Sequence, residues 1–443
     1  MSRAQQYIDL YEQTADTIKQ QAATLLNAHR DEAFARFKQV GFPTNKDEAY
    51  LYCPVLEALD TDYGFDLNHL TVPANATDLF RCDVPGIRAH NFYIVNDQLQ
   101  PAHAALPDGV IFCKLSDACT HHADLVAAHL DRQIATGNDG FTLFNRTFAQ
   151  DGYFLFVPAN TTLDLPIQIV NMLYAQSSLM THTRNLIVLD EGAQLHLLVC
   201  DHATTGIDFF ANRLTEIVVG KNAQLHYYAL ESTGADTSNN NQIIVEQAAG
   251  SQTVINFVGL HNGRSRHHIA INLNGKHAAT WLGGIVISGD NQRTDIDTDI
   301  HHNVPHCHSQ ELFKYILDGA SEGAFAGRIV VAKQAQHTEA YQTNRNICLT
   351  KQARMHAKPQ LEIYADDVKC GHGATTGQID ENALFYMRTR GIGEAEARML
   401  LLLAFAADVL DKITVEAVRD RLRLMVEQRL RGGESKCKSC KIC

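Results

Sequence analysis

The sequence predicts a mainly β protein whose central stretch coils into a β-helix, or β-solenoid, with helical regions on either side. Between about residues 154 and 370, short runs of Val, Ile, Leu and Tyr alternate with turns of Gly, Asn, Asp and Ala. Within this stretch the tetrapeptide Ala-Gln-Leu-His occurs at 193–196 and again, 30 residues later, at 223–226. Few helical patterns interrupt these strands. Strand-forming units that recur about every 20–50 residues are typical of solenoids, in which each unit stacks on its neighbour.

The repeat predicts the shape of one coil. Residues 186–198 align with residues 216–228, and each copy is an apolar strand, a tight polar turn, a small residue and a second strand. Weaker copies begin at Ile243, Ile271, Ile329 and Ile347. The small residue suits a corner where successive coils approach closely. A β-sandwich is the alternative that this pattern leaves open, because its strands also recur about every 8–12 residues.

The flanking regions carry helical spacing instead. Apolar residues recur every three or four positions from Ile8 to Leu26, and Gly and Pro at 41–43 end the pattern. After the strands, an apolar face begins at Ala397, and a further helix follows Thr414, a suitable N-cap. The sequence therefore divides into an N-terminal helical region at 1–75, a mixed linking region at 76–153, a β-helix core at 154–385, a C-terminal helical region at 386–433 and a flexible Cys-rich tail at 434–443.

The composition excludes several classes of protein. The chain has 443 residues, with 38 Lys and Arg against 50 Asp and Glu, a formal charge of −12, whereas nucleic-acid-binding surfaces are positive. We recognise no signal peptide and no apolar run of about 20 residues, the length that a membrane helix needs. The 11 cysteines are odd in number and mostly isolated, as expected for reduced thiols. We therefore expect a cytoplasmic protein without nucleic-acid or membrane partners.

The sequence also predicts a non-enzymatic protein. The Gly-Lys pairs at 220–221 and 275–276 lack the rest of a Walker A phosphate-binding motif, so we expect no bound nucleotide. A His-Glu-x-x-His zinc motif is missing from the sequence as well. Catalytic residues are therefore not assigned.

Two Cys- and His-rich segments could bind metal. His301–His308 offers five ligand-type side chains in eight residues. Neighbouring residues of a strand point to opposite faces, so these side chains cannot all converge, and polar side chains at a strand end are the competing interpretation. The tail holds Cys437, Cys440 and Cys443, whose spacing suits zinc, copper or a nascent cluster but lacks a nearby fourth ligand. A metal-binding chaperone acting through this tail is one alternative function.

Cys370 and His372 form a further candidate pair. Two residues apart on an extended backbone, they share one face, and the glycines on either side of His372 would let another molecule approach closely. A thiolate and an imidazole suit iron or zinc, but two ligands do not complete a tetrahedral site, so a partner, substrate or solvent would have to supply the rest. Nearby, Asp366 and Asp367 allow a second alternative function, a β-helical carbohydrate-active enzyme, although adjacent carboxylates on one strand flank a glycosidic bond poorly.

Long motifs in the second half of the chain resemble the SufB/SufD family of iron–sulfur cluster assembly proteins. These motifs are Ser309–Gly319, Phe325–Val331, Gln342–Asn346, Lys358–Thr375 and Leu384–Phe405. The similarity runs from about residue 160 to 412, and Gly41–Glu48 is a weaker match. The form Lys-Cys-Gly-His-Gly-Ala-Thr at 369–375 looks more like SufD than SufB.

The resemblance implies a right-handed parallel β-helix and a complex of SufB, SufD and two copies of the ATPase SufC. The partners would be a SufB-like paralogue, or a second copy of this chain, together with a SufC-like ATPase. Iron or a nascent iron–sulfur cluster would be handled transiently at the subunit interface by His372, with Cys370 nearby. The C-terminal helices would dock the ATPase through Arg390, Gly391, Leu400, Leu401 and Phe405.

Overall fold

The computed structural model describes residues 3–67, 87–101, 105–132, 134 and 139–432. Its helices are α1 (Arg3–Gln21), α2 (Thr24–Asn27), α3 (Arg30–Val40), α4 (Val55–Ala58), α5 (Leu115–His121), α6 (Ala123–His129), α7 (Gly140–Phe148), α8 (Glu381–Thr389), α9 (Glu394–Leu410) and α10 (Glu416–Leu430), with a 3₁₀ turn at Glu48–Tyr50. Its strands are β1 (Gly64–Phe65), β2 (His90–Val95), β3 (Gln98–Leu99), β4 (Ile111–Lys114), β5 (Tyr153–Val157), β6 (Ile167–Leu173), β7 (Leu179–Leu189), β8 (Gln194–Ala203), β9 (Phe209–Val219), β10 (Gln224–Ser232), β11 (Thr237–Gln247), β12 (Gln252–His261), β13 (Arg264–Leu273), β14 (Ala279–Ser288), β15 (Arg293–His302), β16 (His308–Leu317), β17 (Glu322–Val331), β18 (Thr338–Cys348), β19 (Arg354–Ile363) and β20 (Val368–Gly377).

The strands from β5 to β20 form a parallel solenoid with two strands in each coil and about eight coils in all. The odd-numbered strands stack in one sheet, here called sheet A, and the even-numbered strands stack in the other, sheet B. From β7 onwards, each strand pairs in parallel with the strand two places before it in the chain. This topology confirms the predicted β-solenoid and contradicts a β-sandwich, whose strands pair antiparallel. The right-handedness of the coil stays a prediction.

The Ala-Gln-Leu-His repeat corresponds to one turn of the solenoid. Leu195 of β8 pairs with Leu225 of β10, and the flanking residues of the two copies pair in the same register. At the corner before β10, Asn222 adopts a φ of 57°, and the next residue, Ala223, is fully buried. The small residue therefore occupies the tight corner, as the sequence predicts.

The three largest apolar clusters of the described residues connect the solenoid with its helices. The main core fills the interior of the solenoid, because alternate residues of every strand point between the two sheets. A second core lies between the outer face of sheet B and the helices α9 and α10. A third packs α1, α3 and α7 against the first strands of sheet A. None of the helices in the described ranges is long and apolar enough to cross a membrane.

The two ends of the solenoid differ. At the N-terminal end, β3 and β4 are added antiparallel to β2 and β5. At the other end, β19 and β20 each pair with one strand only among the described residues. On β19, the inward residues Ala357 and Ile363 are exposed, whereas their register partners in the preceding coil, Phe325 and Val331, are buried. The last coil, β19 and β20, is therefore an uncovered surface, which we call the open end.

The interpretation of Thr414 as an N-cap is wrong. Helix α10 begins at Glu416 after Val415, with no side-chain cap. The Thr414 hydroxyl instead lies 3.2 Å from the Nε2 atom of His196 and 2.9 Å from the Tyr228 hydroxyl, both on the outer face of sheet B. The Thr414 side chain therefore bonds to the solenoid instead of capping α10. These contacts hold the turn between α9 and α10 against sheet B.

Candidate functional site

Cys370 and His372 lie on β20, at the open end, and share the face of the strand that points inward. Cys370 is half-buried and packs against the main core of the solenoid. Because side chains alternate along a strand, His372 has the same orientation. His372 is nevertheless exposed, since no further coil formed by the described residues covers it. The structure thus brings the predicted pair to one face.

The two members of the pair differ in their environment. Burial raises the pKa of the Cys370 thiol, and a backbone hydrogen bond from Ala340 only partly opposes this effect. A thiol with a raised pKa is a poor metal ligand until a metal displaces its proton. The exposed imidazole of His372 is therefore the more available ligand, with Cys370 as the buried neighbour.

A column of inward residues in sheet B leads to His372. In its first five coils this inner column consists of apolar or aromatic residues, namely Ile167, Leu197, Tyr227, Ile255 and Leu282. In its last three coils the same column continues as Glu311, Gln342 and His372. Along this column the interior therefore becomes polar only in the last three coils, behind the open end.

Glu311 and Gln342 are both 1% exposed and are joined by hydrogen bonds. Gln342 Nε2 donates to Glu311 Oε2 at 2.6 Å, and Thr298 Oγ1 donates to Glu311 Oε1 at 2.6 Å from across the interior. Burial raises the pKa of Glu311 to about 7, although these two hydrogen bonds act in the opposite direction. The carboxyl group behind His372 therefore changes its charge near neutral pH.

The predicted ligand cluster at His301–His308 does not converge. His302 is buried inside the solenoid, and Cys307 is in the main core. His301 and His308 lie on different strands, and the ring of His306 stacks at a corner with that of His337, at 4.8 Å between centroids. Across the described ranges, no group of three or more His, Cys, Asp or Glu residues could hold a metal ion. Strand alternation separates side chains that are adjacent in sequence, so the interpretation as a local metal site is wrong.

Asp366 and Asp367 are poorly placed for cleaving a glycosidic bond. Both lie exposed at the corner between β19 and β20, and Asp367 pairs with His337, with 2.9 Å between Nδ1 and Oδ2. This carboxylate is held by a neighbouring corner rather than placed across a groove from a second carboxylate. A carbohydrate-active enzyme therefore gains no support. The tail cysteines Cys437, Cys440 and Cys443 lie outside the described residues.

Sequence reasoning missed a Gly-x-Ser-x-Gly pattern at 319–323. In esterases this pattern places a nucleophilic serine on an exposed strand-to-helix turn. Here Ser321 is fully buried at a corner before β17, and its hydroxyl donates to the Ser288 carbonyl at 3.3 Å. The pattern belongs to a solenoid corner and is not a nucleophile site.

The residues predicted to dock an ATPase are only partly exposed. Leu401 and Phe405 on α9 pack against the core beneath the helix, Leu400 is half-buried, and Arg390 and Gly391 are exposed in the turn after α8. The most exposed aromatic residues here are instead Phe385 at 69% and Tyr386 at 59%, both on α8. The sequence analysis missed these two residues as surface groups, although exposed aromatic side chains are a signal of an interface.

The fold and the site define a class of protein: a two-sheet parallel β-solenoid with helices at both ends and an accessible His beside a Cys on its last strand. The comparisons then identify the family. The family model described as "SUF system FeS cluster assembly, SufBD core domain" matches residues 172–405. A second family model, described as "SufBD protein N-terminal region", matches residues 1–169. The chain therefore belongs to the SufBD family of iron–sulfur cluster assembly proteins.

Individual relatives agree with this assignment. An iron–sulfur cluster assembly SufBD family protein of Synechocystis is 30% identical over 73% of this chain and 73% of its own length. The iron–sulfur cluster assembly protein SufD of Escherichia coli is 32% identical over 57% of this chain and 60% of its own length. SufD of Bacillus subtilis is 26% identical over 76% of this chain and 79% of its own length. The chain is thus an iron–sulfur cluster assembly component, and SufD proteins are among its relatives.

Proposed function

We propose that this chain is the SufD-like subunit of a SufBCD-type complex and a non-enzymatic scaffold on which iron–sulfur clusters are assembled and transferred. Its cargo is iron or a nascent cluster, which His372 binds transiently with Cys370 nearby. The observation that carries the proposal is the exposed position of His372 on β20, the last strand of sheet B, which pairs with β18 alone among the described residues. The cytoplasm is the proposed location, and the free thiols of the described cysteines are compatible with it.

The open end supports a subunit interface. Within the described ranges, the outer edges of β19 and β20 carry backbone groups that no neighbouring strand pairs, and such groups can add a strand from another chain. Ile363 and Tyr364 add exposed apolar surface at the end of β19. A SufB-like paralogue, or a second copy of this chain, would cover this surface and supply the ligands that the Cys/His pair lacks.

Replacing His372 with alanine is expected to abolish cluster maturation by the complete complex, because the accessible imidazole is lost while the β20 backbone remains. The measurement is transfer of a cluster to an apo acceptor, followed by absorbance, with complex formation checked by co-elution. Thr375→Ala, an exposed change on the same strand, is the matched control and should retain maturation. Full maturation by the His372→Ala complex would contradict the assigned site.

The C-terminal helices are the proposed docking surface for a SufC-like ATPase. Phe385 and Tyr386 present apolar rings to solvent, and Arg390 donates to the Tyr386 hydroxyl at 2.9 Å. By contrast, the Lys314 ammonium lies over the ring of Phe405, with 4.6 Å between Nζ and the ring centroid. Phe405 therefore belongs partly to the packing between α9 and sheet B. The exposed rings on α8 are the sharper test of docking.

Phe385→Asp is expected to abolish co-purification with the ATPase and to leave the melting temperature unchanged, because this ring makes little internal contact. Phe405→Asp is expected to lower the melting temperature, because a carboxylate would replace a ring that packs against the second core. The measurements are pull-down of the ATPase and thermal unfolding of each purified variant. Normal pull-down by Phe385→Asp would contradict α8 as the docking surface.

A further inference from the structure

We infer that Gln342 is a positioning residue for His372: its side-chain oxygen accepts a hydrogen bond from one ring nitrogen of His372 and leaves the other nitrogen free for cargo. The inference rests on the proposed function, since it assumes that His372 is the cargo-binding group. It assigns a role to a buried residue one coil behind the open end.

The first argument is register. Gln342 and His372 are paired positions of the adjacent parallel strands β18 and β20, and both side chains belong to the inner column. Neighbouring strands lie about 4.8 Å apart, so side chains at paired positions on one face are neighbours. A glutamine amide and an imidazole at such positions can reach each other by side-chain rotation and form a hydrogen bond.

The second argument is an unused acceptor. Gln342 Oε1 is buried and has no hydrogen-bond partner among the described residues. A buried polar atom without a partner is costly, and native proteins rarely leave one. The next side chain of the column towards the open end is that of His372, whose ring can donate an N–H.

The third argument is that the amide is already oriented. A carboxylate only accepts hydrogen bonds, so ionised Glu311 must receive the NH₂ group of Gln342, and the amide oxygen is the atom left over. Thr298 fixes the other carboxylate oxygen from the opposite sheet. The direction of the amide is therefore set from inside the solenoid and not by the open end.

The opposite sheet makes room for this arrangement. Gly327 of β17 faces Gln342 across the interior, and a Cβ atom at position 327 would collide with the Gln342 amide nitrogen. The glycine at position 327 thus leaves the space that the Gln342 amide occupies.

Such an arrangement has a known chemical consequence. The two nitrogens of a neutral imidazole differ, and the hydrogen bond made by one decides which nitrogen keeps its lone pair for a metal. With one N–H held by Gln342, the free lone pair of His372 points away from the interior, towards the surface where a partner would sit. Gln342 would thus orient the ligand without touching the cargo.

The test is the tautomer of His372 in the purified full-length chain at pH 8, read from the ¹⁵N shifts of ¹⁵N-labelled histidine and assigned by the signal lost in His372→Ala. We expect the tautomer ratio of His372 to differ by about fivefold to tenfold from that of histidine in an unstructured peptide, the bias that one net hydrogen bond gives. Gln342→Met keeps an unbranched side chain of similar length without the amide, and it should bring the ratio to within about twofold of the peptide value.

Two further variants complete the test. Glu311→Gln introduces an NH₂ group that can donate to the Gln342 oxygen, so it should also weaken the bias, and it serves if Gln342→Met does not fold. Asn344→Ala removes an equally buried inward amide of β18 whose register partner is Ala374, so it should leave the tautomers unchanged. Unaltered tautomer populations in Gln342→Met or Glu311→Gln overturn the inference, even if His372→Ala abolishes cluster maturation. Normal maturation by His372→Ala overturns the proposed cargo-binding role of His372, whatever the tautomer.

Discussion

Replacing Arg184 with methionine is expected to lower the free energy of unfolding by about 3–5 kcal/mol, because it removes one partner of a buried charge network. The Arg184 side chain is 1% exposed and ion-paired with Glu216, and it lies 2.8 Å from Asp131. Burial alone would raise the pKa of Asp131, but the charges of Arg184 and Arg146 outweigh it and lower that pKa. Without Arg184, Glu216 would be left inside the protein without the guanidinium that it faces.

The measurement is guanidinium-induced unfolding at pH 7, followed by circular dichroism. Lys221→Met is the matched control, because it removes the exposed ion pair between Lys221 and Glu191, whose charged groups are 2.9 Å apart. An exposed pair contributes about 0–1 kcal/mol, so this control should hardly move the midpoint. If the two variants lose the same stability, the buried network does not hold the first coils together.

Glu311→Gln is expected to stabilise the protein at pH 8 relative to wild type, although it replaces a group that forms two hydrogen bonds. The pKa of Glu311 is raised from its ordinary value of 4.5 to about 7 in the folded chain. Between these values the folded state binds more protons than the unfolded state, so the contribution of Glu311 is complete below pH 4.5 and is lost as pH rises through 7. A shift of this size corresponds to about 3 kcal/mol, which the neutral glutamine would not lose.

The pH profile of stability should therefore differ between the two proteins. The gap in unfolding free energy between Glu311→Gln and wild type should grow in favour of the variant by about 2.5 kcal/mol from pH 5 to pH 8, as measured by denaturant unfolding at each pH. A gap that does not change with pH would show that Glu311 does not titrate in this range.

His302 provides a control of opposite sign. Burial lowers the pKa of His302 to about 4, with smaller contributions from His308 and His301, so its contribution is complete above about pH 6.5 and is lost as pH falls towards 4. His302→Asn should therefore reduce the loss of unfolding free energy as pH falls from about 6.5 towards 4, whereas Glu311→Gln should reduce the loss as pH rises through 7. The two variants thus distinguish the pH dependence due to His302 from that due to Glu311.

Much of the solenoid could be predicted because its determinants are local. The Ala-Gln-Leu-His repeat placed two strands in the register that the structure shows, since one coil of a solenoid is stabilised by strands, corners and a neighbour of the same kind. The pair of Cys370 and His372 on one face followed from strand alternation alone. These predictions needed no knowledge of distant residues.

Proximity in sequence was misleading where alternation and corners intervened. Of the five ligand-type residues in His301–His308, two are buried in the core, one lies at a corner, and the other two lie on different strands. Thr414 has the residue type of an N-cap but bonds to sheet B, which is more than 180 residues away in the chain. In both cases a tertiary contact outweighed a local preference.

The sequence by itself determined the coil: a strand, a corner with a small buried residue and a second strand, repeated with a period of about 30 residues. Only the tertiary structure decided which side chains from different coils meet, as Glu311, Gln342 and His372 do, and where the stack of coils ends. The reason is that a strand's inward side chains follow from its own alternation. Their neighbours depend on how successive coils are registered, and their exposure depends on whether another coil follows.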